Sequence, residues 1–182
     1  MLSVLKDSKL NKKVVGIALY GSNGFWYGIV IDFNEDILQL QHYTEYGQLN
    51  GVVIIEVSQI ERTDFNDDHT QSLDFLIKNQ DEFKNMNYTN LFFNELTDDN
   101  WKFQALKPYE KERKLLVGVQ INQDDTYFGF IEKIDEEYFS LHCIGNLGED
   151  KGLCIFNTED VSSFVINDLD CRKRYLLFNI KK

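Results

Sequence analysis

At 182 residues, with 43% hydrophobic and 14% aromatic residues, the chain has material for one large or two small globular domains, and its composition excludes a disordered polymer. The formal net charge is −11, and residues 14–77 hold ten carboxylates against one basic residue, Arg62, while residues 115–180 hold twelve against five. Nucleic-acid binding rests on Lys and Arg replacing phosphate counterions, so this balance disfavours RNA and argues against DNA and acidic membranes as partners.

The N-terminal stretch MLSVLKDSKLNKK has no apolar core of the kind a signal peptide carries, and no apolar run reaches the roughly 20 residues of a membrane span. Three cysteines, Cys143, Cys154 and Cys171, make no even framework of disulfides. A reducing, cytoplasmic setting is expected.

In chain order, residues 13–20 alternate as a first strand with Val15, Ile17 and Leu19 on one face. GSNG supplies a tight turn. Residues 25–33 form a second strand with Gly28 in its middle, where a glycine marks a sharp bend or a close backbone approach. Asn34-Glu35-Asp36 turns the chain into a third strand, 37–43. Gly47 and Gly51 bracket the turn to a fourth, 51–57, and a fifth covers about 59–65. Leu73, Leu76, Ile77 and Phe83 follow at helical spacing.

The same pattern returns further along. VVGIALY (14–20) matches LVGVQIN (116–122), and 25–43 matches 126–144. From there the register holds without a gap. Gly28 falls on Gly129, Gly47 on Gly148, Gly51 on Gly152, Ile54 on Ile155 and Ile60 on Val161, the offset changing from 102 to 101 at the first turn. The chain is therefore a tandem duplication. Expected domains are a first β-barrel repeat at 1–78, a structured linker at 79–113 and a second repeat at 114–182. Each repeat is expected to form a small closed barrel of five strands, which removes exposed sheet edges. Residues 169–180 read as either a helix or a closing strand. The linker has no counterpart in the first repeat. Its Tyr88, Leu91, Phe92, Phe93, Trp101, Phe103 and Leu106 are too apolar for solvent, so it is expected to pack between the barrels. Asp98-Asp99-Asn100 signals a helix start, and Pro108 ends that helix or opens the next.

The order of a short helix, strand, turn, aromatic-x-Gly-x-hydrophobic, acidic turn, strand and Gly-x3-Gly resembles an Sm-like domain, a pattern shared by SH3-like barrels. It covers each repeat but not the linker. The resemblance implies a mainly β fold of two tandem five-stranded Sm-like or SH3-like barrels with short helices. It also implies an RNA-base site in which Asn34 and Asp135 occupy the place of the family's Asp. Leu38 or Phe139 falls where its Asn is expected. Val53-Ile54 and Cys154-Ile155 occupy the place of its Arg-Gly pair, so the guanidinium that would hold a base is missing.

No catalytic constellation is visible. His142 and Cys143 are neighbours on a strand and point to opposite faces, so they make neither a metal pair nor a nucleophile–base pair. No metal or other cofactor is expected. Paired acids such as Glu35-Asp36 and Glu136-Glu137 read as solvated turn residues. The aromatic pairs Trp26-Tyr27 and Tyr127-Phe128 are binding candidates, because one ring of each pair must face outward. The expected function is non-enzymatic binding or scaffolding, with a protein or peptide partner or self-association. The alternatives are an RNA-binding Sm-like protein and a small-molecule sensor or enzyme with its site between the barrels.

Overall fold

The structure, a computed structural model, describes residues 1–86, 100–122 and 125–180. The chain divides into two units, Met1–Gln80 and Asp81–Lys182. In the first, α1 (Leu2–Asn11) precedes five strands, β1 (Val15–Leu19), β2 (Phe25–Phe33), β3 (Ile37–Tyr43), β4 (Leu49–Glu56) and β5 (Ile60–Phe65), and α2 (Asp68–Lys78) follows them. The strands form one antiparallel sheet in the order β4-β3-β2-β1-β5.

Alternation along the strands sends Val15, Ile17, Val30, Leu38, Leu40, Ile55 and Ile60 to one face, where Leu5 of α1 joins them in a core. Ser8 is buried beside them, its hydroxyl donating to the Lys13 carbonyl and accepting from the Val30 amide, so the polar group is satisfied. The other face of β1 and β2 is covered by α2. That helix starts where the Asp67 carboxylate accepts the Thr70 amide at 2.8 Å, and it lays Leu73 and Ile77 against Val14, Tyr27 and Ile29.

α3 (Gln80–Asn85) begins at the boundary between the units. In the second unit, α4 (Trp101–Leu106) runs into a 3-10 turn, Lys107–Tyr109, holding Pro108. The strands are β6 (Val117–Ile121), β7 (Thr126–Ile134), β8 (Tyr138–Ile144), β9 (Asp150–Asn157) and β10 (Val161–Ile166), and α5 (Leu169–Ile180) ends the unit. The sheet order, β10-β6-β7-β8-β9, repeats that of the first unit. The core repeats as well, with Val117, Val119, Ile131, Phe139, Leu141 and Val161 at the matching positions. Leu106 and Tyr109 close this core as Leu5 closes the first. The linker thus supplies a counterpart of α1 that the sequence comparison did not reveal. Residues 169–180 are a helix, which packs Cys171 and Phe178 on Leu116 and Phe130. The linker residues Tyr88, Leu91, Phe92, Phe93, Asp98 and Asp99 lie outside the described residues.

The mainly β, five-stranded antiparallel architecture is the expected one. The closed barrel is not. β4 and β5 have no ladder between them, nor do β9 and β10, so each sheet is open with two edges. The reason lies in the connection. A single 3-10 turn, Val57–Gln59, carries the chain from the β3 side to the β1 side, with the Val57 amide bonded to the Asp36 carbonyl and the Tyr20 amide to the Gln59 carbonyl. The two strands follow one another in sequence but leave that turn toward different partners. No helix among the described residues is long and apolar enough to cross a membrane.

What curls each sheet around its core is a backbone contact. A Cβ at Gly28 would stand 2.2 Å from the Gln41 carbonyl oxygen, and one at Gly129 would stand 2.1 Å from that of His142. Just beyond each glycine the ladder skips one residue, Ile31 in β2 and Glu132 in β7, a bulge that bends the strand. Gly28→Ala and Gly129→Ala are each expected to destabilise the protein by roughly 1–3 kcal/mol, as for overpacked cores. Gly24→Ala, whose Cβ meets nothing within 4 Å, should change stability by less than about 0.5 kcal/mol. Urea denaturation of the three variants checks this, and equal effects at Gly24 and Gly28 would contradict it.

Candidate functional site

Residues 52–55 of β4, Val-Val-Ile-Ile, are all apolar, and a strand sends only every second one inward. Val53 and Ile55 join the core, which leaves Val52 and Ile54 outside at 58% and 68% exposure. In β9, Cys154 and Phe156 point inward, and Leu153 and Ile155 are left at 60% and 69%. The register puts Ile54 beside Gln39 and Ile155 beside Ser140, with Ile37 and Tyr138 next along the same outer faces. The helix of each unit covers the outer face at its β1–β2 or β6–β7 side and leaves this end bare. Both strands are edges, so half of their backbone amides and carbonyls have no ladder partner. A depression of about 170 Å³ lies against Ile155, lined also by Lys133, Asp135, Tyr138 and Ser140. Acidic residues stand at one end of each pair, Glu35, Asp36 and Glu56 in the first unit and Asp135, Glu136 and Glu137 in the second, where Lys133 and Lys151 also flank it.

The sequence candidates are placed as follows. Trp26 is cross-strand from Ile17 and meets the edge of His42 at 5.1 Å while staying partly exposed. Tyr27 faces the other way, lying over Gly16 and against Phe25 and His69. Burial, followed by the charges of Asp64 and Asp67, pushes its phenol above the ordinary range. Tyr127 packs on Phe156 at 4.8 Å, and Phe128 lies under the Arg174 guanidinium at 4.2 Å. Asn34 and Asp135 use their side chains locally. Asn34 Oδ1 accepts the amides of Asp36 and Ile37, both at 2.8 Å. Asp135 Oδ1 accepts those of Tyr138 at 2.7 Å and Glu137 at 3.0 Å, and these bonds, the Tyr138 amide first, hold its carboxyl below its usual range. Trp26 and Asn34 stand at opposite ends of β2, so the aromatic pair and the acidic turn do not form one site.

One cluster on the second unit was not visible in the sequence. His142 Nε2 lies 2.8 Å from Asp150 Oδ1, and its Nδ1 lies 3.4 Å from Glu132 Oε1. Arg113 donates to Glu132 at 2.6 Å, which holds that carboxyl low, and its guanidinium sits over Phe130. A cavity of about 330 Å³ beside them is bounded by Arg113, Phe130, His142, Phe178 and Asn179. The signal was faint, because Glu132 reaches this face only through the bulge in β7. Gln41 and Ile31 hold the matching places in the first unit, so the cluster belongs to one repeat alone.

His142 and Cys143 do face opposite ways, His142 outward beside Leu153 and Cys143 into the core. Among the described residues no group of three His, Cys, Asp or Glu side chains could hold a metal ion. Burial, with a hydrogen bond to Cys154, pushes the Cys143 thiol up to about 12. Burial and the neighbouring Asp168 carboxylate push Cys171 higher still. A protonated, buried thiol is a poor nucleophile. At pH 8 a disulfide reagent such as DTNB should therefore modify no more than one thiol per native chain, Cys154, and all three after unfolding. Rapid native reaction at Cys143 or Cys171 would contradict this burial.

In comparison with known proteins, no family model, no curated protein and no solved structure matches this chain.

Proposed function

We propose that the protein is a non-enzymatic interaction module that takes extended segments of a partner protein by strand addition on β4 and β9. Each unit is read here as an Sm-like or SH3-like small β domain. The order of a helix followed by five antiparallel strands in the first unit, repeated with α4 in the second, supports that reading. The observation that carries the function is the repeated one. Unpaired edge strands bear exposed apolar pairs, Val52 with Ile54 and Leu153 with Ile155, at the same register in both units. An added strand would satisfy the open amides and carbonyls and cover the apolar pair, with about 2 kcal/mol available for each fully buried Ile or Leu.

The acidic turn at one end of each pair favours a partner segment that is basic at that end. A segment with apolar residues at alternate positions and Lys or Arg between or beside them is complementary. A second copy of this chain, at net charge −11, meets its own repulsion. The same charge weighs against RNA, as does the use of the Asn34 and Asp135 side chains within their own turns.

Selection of a random peptide display library against the full chain tests the proposal. The expected peptides alternate apolar and basic residues and lose at least tenfold in affinity to the Ile54→Lys, Ile155→Lys double variant. Both positions are exposed, so the fold should persist. Failure to enrich any peptide, or enriched peptides indifferent to the two substitutions, would contradict strand addition. Oligo-U should show no anisotropy change even at low salt.

A further inference from the structure

The two edge strands carry the same kind of apolar pair, but the outer faces behind them differ. In the second unit the register sets Lys133 of β7, Ser140 of β8 and Ile155 of β9 in one row across the sheet. In the first unit the same row reads Asp32, Gln39 and Ile54. Ser140 is short, and its hydroxyl turns back to the Lys133 carbonyl at 3.4 Å. The middle of its row is therefore low, and the depression of about 170 Å³ against Ile155 lies there. Gln39 carries a longer side chain over the same ground in the first unit.

Size and lining narrow what this depression takes. Drug-sized ligands occupy pockets of roughly 300–1,000 Å³, so a space of about 170 Å³ holds one side chain. Tyr138 and Ile155, both exposed, supply apolar walls. Lys133 and Asp135 add one charge of each sign, so a charged occupant is opposed by one of them. An aromatic ring suits all four. It packs on the Tyr138 ring, takes the Lys133 ammonium on its electron-rich face and turns its positive edge to Asp135. Reach selects the same occupant. A strand added to β9 lies about 4.8 Å outside it. A side chain starting there must pass Ile155 to enter the depression, which aromatic side chains can do and Val or Ala cannot. In the first unit Asp32, tied to Lys9 at 2.7 Å, puts a carboxylate where the second has an ammonium.

We infer that the two edges read different segments: β9 takes a partner segment that places Phe, Tyr or Trp beside Ile155, while β4 takes one without an aromatic requirement. The inference rests on the strand-addition reading of both edges and names what the second one selects. Ser140 and Lys133 set the difference, Ser140 by leaving the space and Lys133 by facing the ring.

The test uses the full chain with one edge blocked at a time. A random peptide display library is selected separately against Ile54→Lys, which leaves β9, and Ile155→Lys, which leaves β4. Peptides from the first selection should hold an aromatic residue at one fixed position, and peptides from the second should not. In the tightest β9 peptide, changing that aromatic residue to Ala should weaken binding to Ile54→Lys by about tenfold. Adding Ser140→Gln installs the residue of the first repeat at an exposed position, so the fold should persist, and the aromatic and Ala peptides should then bind about equally. Peptides that need β9 but show no aromatic preference, the same preference at β4, or a preference that survives Ser140→Gln would overturn this inference while leaving strand addition standing. Failure of both selections would overturn strand addition itself, and this inference with it.

Discussion

At position 28, and again at 129, the backbones of two strands lie so close that a single methyl group would overlap a carbonyl oxygen. This contact draws β3 against β2 and, with the bulge just beyond it, folds the sheet over a core only a few side chains wide. The next glycine pair extends the same constraint to the helices. Gly47 and Gly148 take φ values of 74° and 76°, and a Cβ on either would strike the backbone of α2 or α5, at 2.8 Å and 2.4 Å. The turn before β4 therefore sits directly on the helix that follows β5. Core, curl and helix packing all depend on positions where only hydrogen fits.

The same arrangement leaves the sheet open. Drawing β3 over the core carries β4 to one rim, while the short turn at Val57–Gln59 sends β5 to β1 at the other. Each unit keeps an edge whose inner residues are used in the core and whose outer residues have nothing to cover them. Lys and Pro are common devices for blunting such an edge, and β9 carries one, Lys151, near its start. The middle outward positions still hold an apolar pair in each unit, Val52 with Ile54 and Leu153 with Ile155. The two repeats have diverged elsewhere. Gln41 and Ile31 face His142 and Glu132 across the duplication, and Asp74 faces Tyr175. The edges share one chemistry while the surfaces around the helices do not.

Much of the fold was legible because glycine spacing and strand alternation are local. Gly28 could be read as a close approach, and the repeat register followed from Gly47 and Gly51 without any knowledge of contacts. Edge closure was not legible, since it depends on the direction in which a three-residue turn releases β5. The site was hidden for a related reason. Val52–Ile55 is an unbroken apolar run, and its parity is fixed only by pairing with β3, so nothing in the run itself marks Ile54 as outward. The aromatic doublets drew notice instead, yet Tyr27 and Phe128 cover glycines at Gly16 and Gly118, and Tyr127 sits on Phe156. The Leu106 and Tyr109 plug was missed because α4 and its 3-10 turn share too little sequence with α1.

The account rests most heavily on β4 and β9 being unpaired edges of curled sheets. Residue-resolved amide exchange of the full chain, followed by NMR, tests this directly. Alternate amides along β4 and β9 should exchange at rates close to unprotected chain, while those bonded to β3 and β8 stay protected with the core. Uniform protection along both strands in the isolated protein would mean that the sheets are closed or their edges already filled, and would contradict the account.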